Sequence, residues 1–324
     1  MMNNSPILSV IMSVYNGEKY LHEAMDSILN QTFRDFEFII IEDASTDLTL
    51  EIIEKYRTQD SRIVLITKKE NKGPKGFIEN LNLGLNAAKG QFIARMDADD
   101  ISDLKRFEKQ VDFLQKNENI FMVGSDLQLI NEDGLNTNLL PAYHTDEDIQ
   151  KNMFKNISMY HPVILFRNKK KIYYREKMLY CEDYDLYFRL MIEGYKFANI
   201  KEPLLKYRIL EDSISRKDSK MTRWLFVEKA RSFFIEQKEK GEDSYENFDP
   251  ENYLNILKPN YNNTVSDLLF AAKTALKYQI HTDLKSILTK TNANFPNEKK
   301  LQIYNWYLKI PKSILPYFTK ILYK

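Results

Sequence analysis

The chain has 324 residues, more than one hydrophobic core usually spans, so one α/β domain with an appendage is expected. A formal net charge of +1 gives no global footprint for nucleic acid, and Cys181, the single cysteine, excludes a disulfide framework and a thiolate zinc site. No run of about 18 apolar residues marks a membrane span, and no charged-then-apolar leader opens the chain, so the cytoplasm is the expected compartment.

Residues 7–14 form a near-continuous apolar run of the kind buried on both faces of a parallel sheet. Tyr15-Asn16-Gly17 breaks it, and residues 18–30 carry Tyr20, Leu21, Ala24, Met25, Ile28 and Leu29 at helical spacing. A second buried strand over 36–41 ends in Glu42 and Asp43, and Ser45, Thr46 or Asp47 is placed to cap a helix over 48–57. A third strand is expected at 62–66. Residues 72–76, with Gly73, Pro74 and Gly76, read as a loop, and 77–88 as a helix with Ile78, Leu81, Leu85 and Ala88 inward. Phe92, Ile93, Ala94 and Met96 then make a short buried strand that stops in three acids, Asp97, Asp99 and Asp100. This alternation predicts a doubly wound, mostly parallel, Rossmann-like α/β sheet.

The first strand-to-helix turn holds a single glycine, which excludes the dinucleotide G-x-G-x-x-G, and no P-loop pattern occurs anywhere. Strand-end carboxylates of an open α/β sheet lie where ligands bind. Such hard oxygen ligands suit Mg²⁺ or Mn²⁺, ions that keep positions for substrate phosphates. The plainer alternative is a solvated turn in which Asp99 or Asp100 caps a helix starting near Ser102.

Residues 102–116 read as an amphipathic helix with Leu104, Phe107, Val111 and Leu114 inward. Strands are expected at 121–125 and 127–130, before the turn signal Asn131-Glu132-Asp133-Gly134. Residues 135–160 are less regular, a candidate substrate-facing excursion. A strand begins in 161–167, and a helix over 181–191 carries Glu182 and Asp183 in its first turn. A small strand pair is expected around Glu202-Pro203, and from Met221 the chain is helical.

Taken together, Ser9–Asn16, Gln31–Phe33, Ile41–Asp47, Ala88–Gly90, Met96–Asp100, His161-Pro162, Glu182–Asp185 and Tyr207-Arg208 resemble the family 2 inverting glycosyltransferases with the GT-A fold, particularly those that build bacterial capsule, O-antigen or other surface polysaccharides. The match covers roughly residues 5–216. It implies a GT-A catalytic domain over 1–220, with a nucleotide-sugar half to about 100 and an acceptor half beyond, followed by a helical region over 221–324. It also implies a nucleotide-diphosphate-sugar donor, most often a UDP-sugar, and a glycan or polyprenyl-linked acceptor. By position, Val14 and Tyr15 would flank the base and Asp43 would accept from the uracil ring N–H. Asp97 would lie near the ribose or sugar, Asp99 would bind Mn²⁺ or Mg²⁺ at the diphosphate with Asp97 beside it, and Asp183 would be the general base. Members commonly carry a histidine shortly after the Tyr-Arg pair; here Leu210 stands there, with Glu211 or Asp212 as substitutes or a smaller protein ligand set.

Inversion needs one carboxylate to take the proton of the attacking hydroxyl, and the first turn of a helix favours that anion. Lys72 and Lys75 are candidates for charge-assisted bonds to phosphate. His161 reads as structural or acceptor-side, and Asp185 with Arg189 as an i,i+4 pair on the helix surface. The basic, aromatic-rich segment 304–324, with Trp306, Phe318, Lys309, Lys312, Lys320 and Lys324, suits an anionic membrane surface on the cytoplasmic side. The alternative is a helical hairpin packed on the protein. Two competing functions stay open: a catalytically silent glycan-binding or scaffold subunit of the same fold, and nucleotidyl transfer, for which the first loop lacks the basic residues.

Overall fold

The computed structural model describes residues 5–210, 220–296 and 304. Glu211, Asp212 and the segment 305–324 therefore lie outside the described residues. The chain divides into two compact units. One comprises residues 1–176 and 182–213; the other comprises 177–181 and 214–324.

The first unit is built on a mixed sheet, in the order β3 (Ile63–Thr67), β2 (Phe36–Glu42), β1 (Leu8–Val14), β4 (Phe92–Asp97), β8 (Leu165–Arg167), β6 (Ile120–Ile130), β9 (Lys196–Arg208) and β5 (Ile101–Ser102), with β7 (Asn136–Leu140) paired to β6. Its parallel half consists of β1 (Leu8–Val14), β2 (Phe36–Glu42), β3 (Ile63–Thr67) and β4 (Phe92–Asp97). Every residue of β2 is buried, as a strand covered by helices on both faces requires. Helices α1 (Leu21–Leu29), α2 (Thr49–Gln59) and α3 (Gly73–Ala87) make the crossovers. Leu21, Ala24, Met25, Ile28 and Leu29 all turn into the core, as their spacing predicts.

Polar groups fix the register of this half. Ser9 Oγ donates to Glu37 Oε1 at 2.6 Å and accepts from the Gly90 amide at 2.8 Å, while the Lys89 amide donates to the same Glu37 oxygen. A Cβ at Gly90 would stand 2.5 Å from the Ser9 nitrogen and 2.6 Å from the Leu8 carbonyl carbon, so glycine is required there. That accounts for the Ala88-Lys-Gly90 signature before β4.

The second half departs from the expected elements. Residues 101–102 form a short strand, β5 (Ile101–Ser102), and α4 begins only at Arg106, running to Lys116. Leu104 is 53% exposed and takes no part in the core, whereas Phe107, Val111 and Leu114 are buried. Neither Asp99 nor Asp100 caps α4; Asp103 accepts from the Lys105 amide before it. The two strands expected between 121 and 130 are one, β6 (Ile120–Ile130), which turns through Asn131–Gly134 into β7 (Asn136–Leu140). The irregular stretch contains β7 and α5 (Asp146–Met153), capped by Thr145. His161–Val163 is a 3₁₀ turn ahead of β8 (Leu165–Arg167), which runs antiparallel to β4 and β6. After α6 (Glu182–Ile192), β9 (Lys196–Arg208) is one strand where a pair was expected. It passes Pro203 opposite Asp126 with register shifts on both sides, an irregularity of the kind that tolerates a residue without an N–H.

The second unit is helical: α7 (Lys220–Lys240), α8 (Glu251–Leu254), α9 (Val265–Lys277) and α10 (His281–Asn294). Thr264 and Asp267 form a capping box on α9. Phe226 and Phe233 of α7 pack edge-on to Phe248. Residues 177–181 are held within this unit: the Lys177 amide donates to Tyr245 Oη at 3.1 Å, Lys177 Nζ to Glu246 O at 2.8 Å, and Tyr180 packs edge-on to Phe226. Among the described residues no helix is long and apolar enough to cross a membrane.

Candidate active site

The site lies at the carboxyl ends of β1, β2 and β4. Register pairs Val14 with Glu42 on one side of β1 and Ser13 with Asp97 on the other. Asp43 and Asp97 thus flank the end of β1, about two strand spacings or roughly 10 Å apart. The loops after β1 and β2 are zipped together. Ser45 Oγ accepts from the Asn16 amide, Asn16 Oδ1 from the Thr46 amide, Thr49 Oγ1 from the Gly17 amide, and Asp47 from the Glu18 amide. Ser45, Thr46 and Asp47, expected as helix caps, therefore chiefly build this double loop, in which Asn16 and Ala44 take φ of 49° and 59°. Val14 is buried and Tyr15 is 46% exposed at its rim.

Asp43 is buried, its amide donating to Val14 O at 2.9 Å. Its carboxylate meets Lys68 Nζ at 3.1 Å and Asn71 Nδ2 at 2.8 Å. Sequence reasoning missed both partners; Lys68, one residue past β3, carried no signal beyond its charge. Lys75 is exposed on the first turn of α3, not on a loop, because the helix starts at Gly73 with Pro74 where a missing N–H costs nothing. Lys72 is paired with Glu79 at 3.3 Å.

The acid turn follows β4. Ligand oxygens of Asp97, Asp99 and Asp100 lie within 4.8 Å of one another. Asp97 gives both oxygens to the Arg95 guanidinium. Asp100 is fully buried; its Oδ1 accepts from the Arg208 amide at 2.8 Å, and its Oδ2 has no hydrogen-bond partner among the described residues. Arg208 clamps the turn: Nε donates to Asp99 O at 2.8 Å, Nη1 to Glu132 O at 2.8 Å and Nη2 to Glu23 at 2.7 Å. The Tyr207-Arg208 signature thereby has a physical role. Arg106, also buried, donates to Arg95 O at 2.7 Å and Gln110 Oε1 at 3.0 Å. Burial and the neighbouring Asp97 push the Asp99 carboxyl up to about 6 and that of Asp100 well above its usual range. Three clustered hard oxygen donors, one with a buried orphan oxygen, fit a divalent cation of the Mg²⁺ or Mn²⁺ kind. Leu210, where a histidine was expected, is half-buried and offers no ligand.

The second group of acids opens α6. Asp183 Oδ1 accepts from the Tyr184 amide at 2.7 Å, and burial raises its carboxyl to about 6. Burial, then Asp183, raises Glu182 further. His161 Nε2 meets Tyr174 Oη at 2.8 Å and its Nδ1 lies 3.8 Å from Glu182; burial holds the imidazole well below its usual pKa. Asp185 does pair with Arg189 at 3.0 Å, but the pair is not at the surface: Asp185 is 1% exposed and is also gripped by Arg175 at 2.9 Å.

These raised carboxyls make a prediction. A group whose folded pKa is raised stabilises the fold below its unfolded pKa of about 4 and loses that contribution as pH climbs through the folded value. Metal-free protein is therefore expected to lose thermal stability between pH 5 and pH 8, and Mg²⁺ to raise the melting temperature more at pH 8 than at pH 5. Equal Mg²⁺ shifts at both values in differential scanning fluorimetry contradict the assignment.

Residues 9–177 match the family model for glycosyl transferase family 2. The O-antigen biosynthesis glycosyltransferase WbnJ of Escherichia coli is 36% identical over 219 residues, 65% of this chain and 82% of that protein. The crystal structure of S. aureus TarS 1-349 in complex with UDP-GlcNAc superposes with a TM-score of 0.55 at 16% identity, covering 95% of this chain and 77% of that one. The mannosyltransferase PcManGT from Pyrobaculum calidifontis, in complex with GDP-Man and Mn²⁺, gives a TM-score of 0.52 at 12% identity, covering 98% and 84%. The mixed sheet is thus the GT-A fold, and its strand-end acids stand in a glycosyltransferase: the chain belongs to glycosyl transferase family 2.

Proposed function

We propose that the enzyme moves a sugar, with inversion, from a UDP-sugar to a glycan or polyprenyl-linked acceptor in surface-polysaccharide synthesis. The observation that carries the donor half is the placement of Asp43 and the Asp97–Asp100 turn on either side of the end of β1. A nucleoside diphosphate fits that span with its base by Val14, Tyr15 and Asp43 and its phosphates toward the acid turn. Asp43, fixed by Lys68 and Asn71, is the acceptor for the uracil N–H. Asp99, with Asp97 beside it, would hold Mn²⁺ or Mg²⁺, which supplies Lewis-acid stabilisation of the leaving diphosphate. Exposed Lys75 is available to phosphate. Asp183 takes the proton of the acceptor hydroxyl as that oxygen bonds the anomeric carbon and the diphosphate departs. WbnJ's role in O-antigen synthesis supports the acceptor class. PcManGT, which has this fold, is in complex with GDP-Man, so a preference for uracil is assigned to side chains and not to the fold, with Asp43 the candidate. Calorimetry with UDP against GDP in Mn²⁺, followed by a UDP-release screen of UDP-sugars, tests the reading; tighter GDP binding overturns the donor assignment.

The four lysines Lys309, Lys312, Lys320 and Lys324 support placement at an anionic leaflet, each contributing about 1 kcal/mol near the surface. Deleting residues 304–324 is expected to release the protein from anionic liposomes while sparing hydrolysis of soluble donor. A full-length chain that ignores such liposomes at low salt contradicts it.

A further inference from the structure

A donor group stands at each oxygen of the Asp43 carboxylate. Lys68 Nζ lies 3.1 Å from Oδ1, and Asn71 Nδ2 donates to Oδ2 at 2.8 Å. The Gly73 amide, donating to Asn71 Oδ1 at 2.9 Å, fixes which end of that side-chain amide faces Asp43. Lys68 is steadied from its far side by Glu79 Oε2 at 3.5 Å. Asp43 Oδ1 is buried and, although ion-paired, receives no hydrogen bond from any described residue. A buried acceptor in that condition is costly until a ligand brings it a donor.

A carboxylate bracketed in this way presents the order donor, acceptor, donor. The pairing edge of uracil is its complement: O2 and O4 accept, and the N3–H between them donates. Cytosine turns a bare N3 on the carboxylate and an amino group on one of the donors. Guanine meets the carboxylate with N1–H but turns its 2-amino group on a donor. We propose that Lys68 and Asn71 are specificity-determining residues, which donate to O2 and O4 of the donor's uracil on either side of Asp43 and so reject cytidine and guanosine diphosphates. This rests on the reading of Asp43 as the acceptor for the ring N–H. The ammonium has N–H groups beyond the one given to Glu79, and the Asn71 amide has one beyond that given to Asp43. A site built to pair a polar edge discriminates strongly, because a wrong partner leaves its own polar groups unpaired.

The test is calorimetry of the full chain in Mn²⁺ with UDP, CDP, 2-thio-UDP and 4-thio-UDP. Each thio analogue keeps N3–H and replaces one flanking oxygen by sulfur, a weaker acceptor. Wild type is expected to prefer UDP to CDP by at least about 100-fold. It should bind each thio analogue about 3- to 10-fold more weakly than UDP, the worth of one hydrogen bond. Asn71→Ala should erase the penalty for one analogue and Lys68→Met the penalty for the other, a pattern that lost packing does not produce. Asn71 is exposed, so its variant decides the matter should Lys68→Met fail to fold. Either folded variant leaving both thio penalties in place overturns the proposal. Asp43→Asn tests the underlying reading separately: an unchanged preference for UDP over CDP there overturns the role of Asp43. A preference that collapses in Asp43→Asn while the thio penalties persist in the other variants overturns the roles of Lys68 and Asn71 alone.

Discussion

Asp183→Asn is expected to lower turnover at least about 10²-fold, roughly 2.7 kcal/mol of transition-state stabilisation, with UDP affinity unchanged. Asparagine keeps the bond from the Tyr184 amide and the shape of the first turn of α6, so what disappears is the basic oxygen. The wild-type pH profile should show the same group. Burial holds the Asp183 carboxyl at about 6, so turnover should rise as pH passes through that value and the carboxylate forms. In the variant this limb should vanish from the residual rate. A variant within a few-fold of wild type moves the role to another group, with Glu182 the first to test because it is buried beside Asp183.

Asp99→Ala should remove the tightening of UDP binding by Mn²⁺, a loss of at least about 10-fold where even outer-shell partners of a metal cost that much. Asp97 is committed to Arg95 and Asp100 Oδ1 to the Arg208 amide, so Asp99 is the carboxylate of the turn that no arginine group occupies through its side chain. Binding in the absence of metal should change little. Calorimetry with and without Mn²⁺ reads both quantities. If Mn²⁺ tightens UDP equally in the variant, the strand-end acids do not hold the ion.

What the sequence showed directly was what local pattern can encode. The apolar runs of β1, β2 and β4, the spacing of α1, and the turn at Asn131–Gly134 are each dictated within a dozen residues. The clustering of Asp97, Asp99 and Asp100 is visible because one short turn supplies all three. Local pattern misled at Pro74 and Pro203, where proline reads as a breaker but occupies a helix start and a strand irregularity. Leu104 fitted a helical stripe that begins only after it. The partners of the acids were out of reach for a different reason. Lys68 and Asn71 on Asp43, Arg208 on the acid turn, and Arg175 on Asp185 are joined by the fold and not by spacing, and an isolated basic residue in a sequence announces no address.

The segment 177–181 has a consequence in time. It precedes α6 in the chain, yet the groups that hold it, Phe226, Tyr245 and Glu246, emerge from the ribosome well after Asp183 does. At about 5–20 residues per second, several seconds of synthesis separate the two. A nascent chain therefore carries every candidate acid before the groups that hold residues 177–181 have been made. A polypeptide ended by proteolysis after residue 213 would keep every candidate acid and lack the partners that hold residues 177–181.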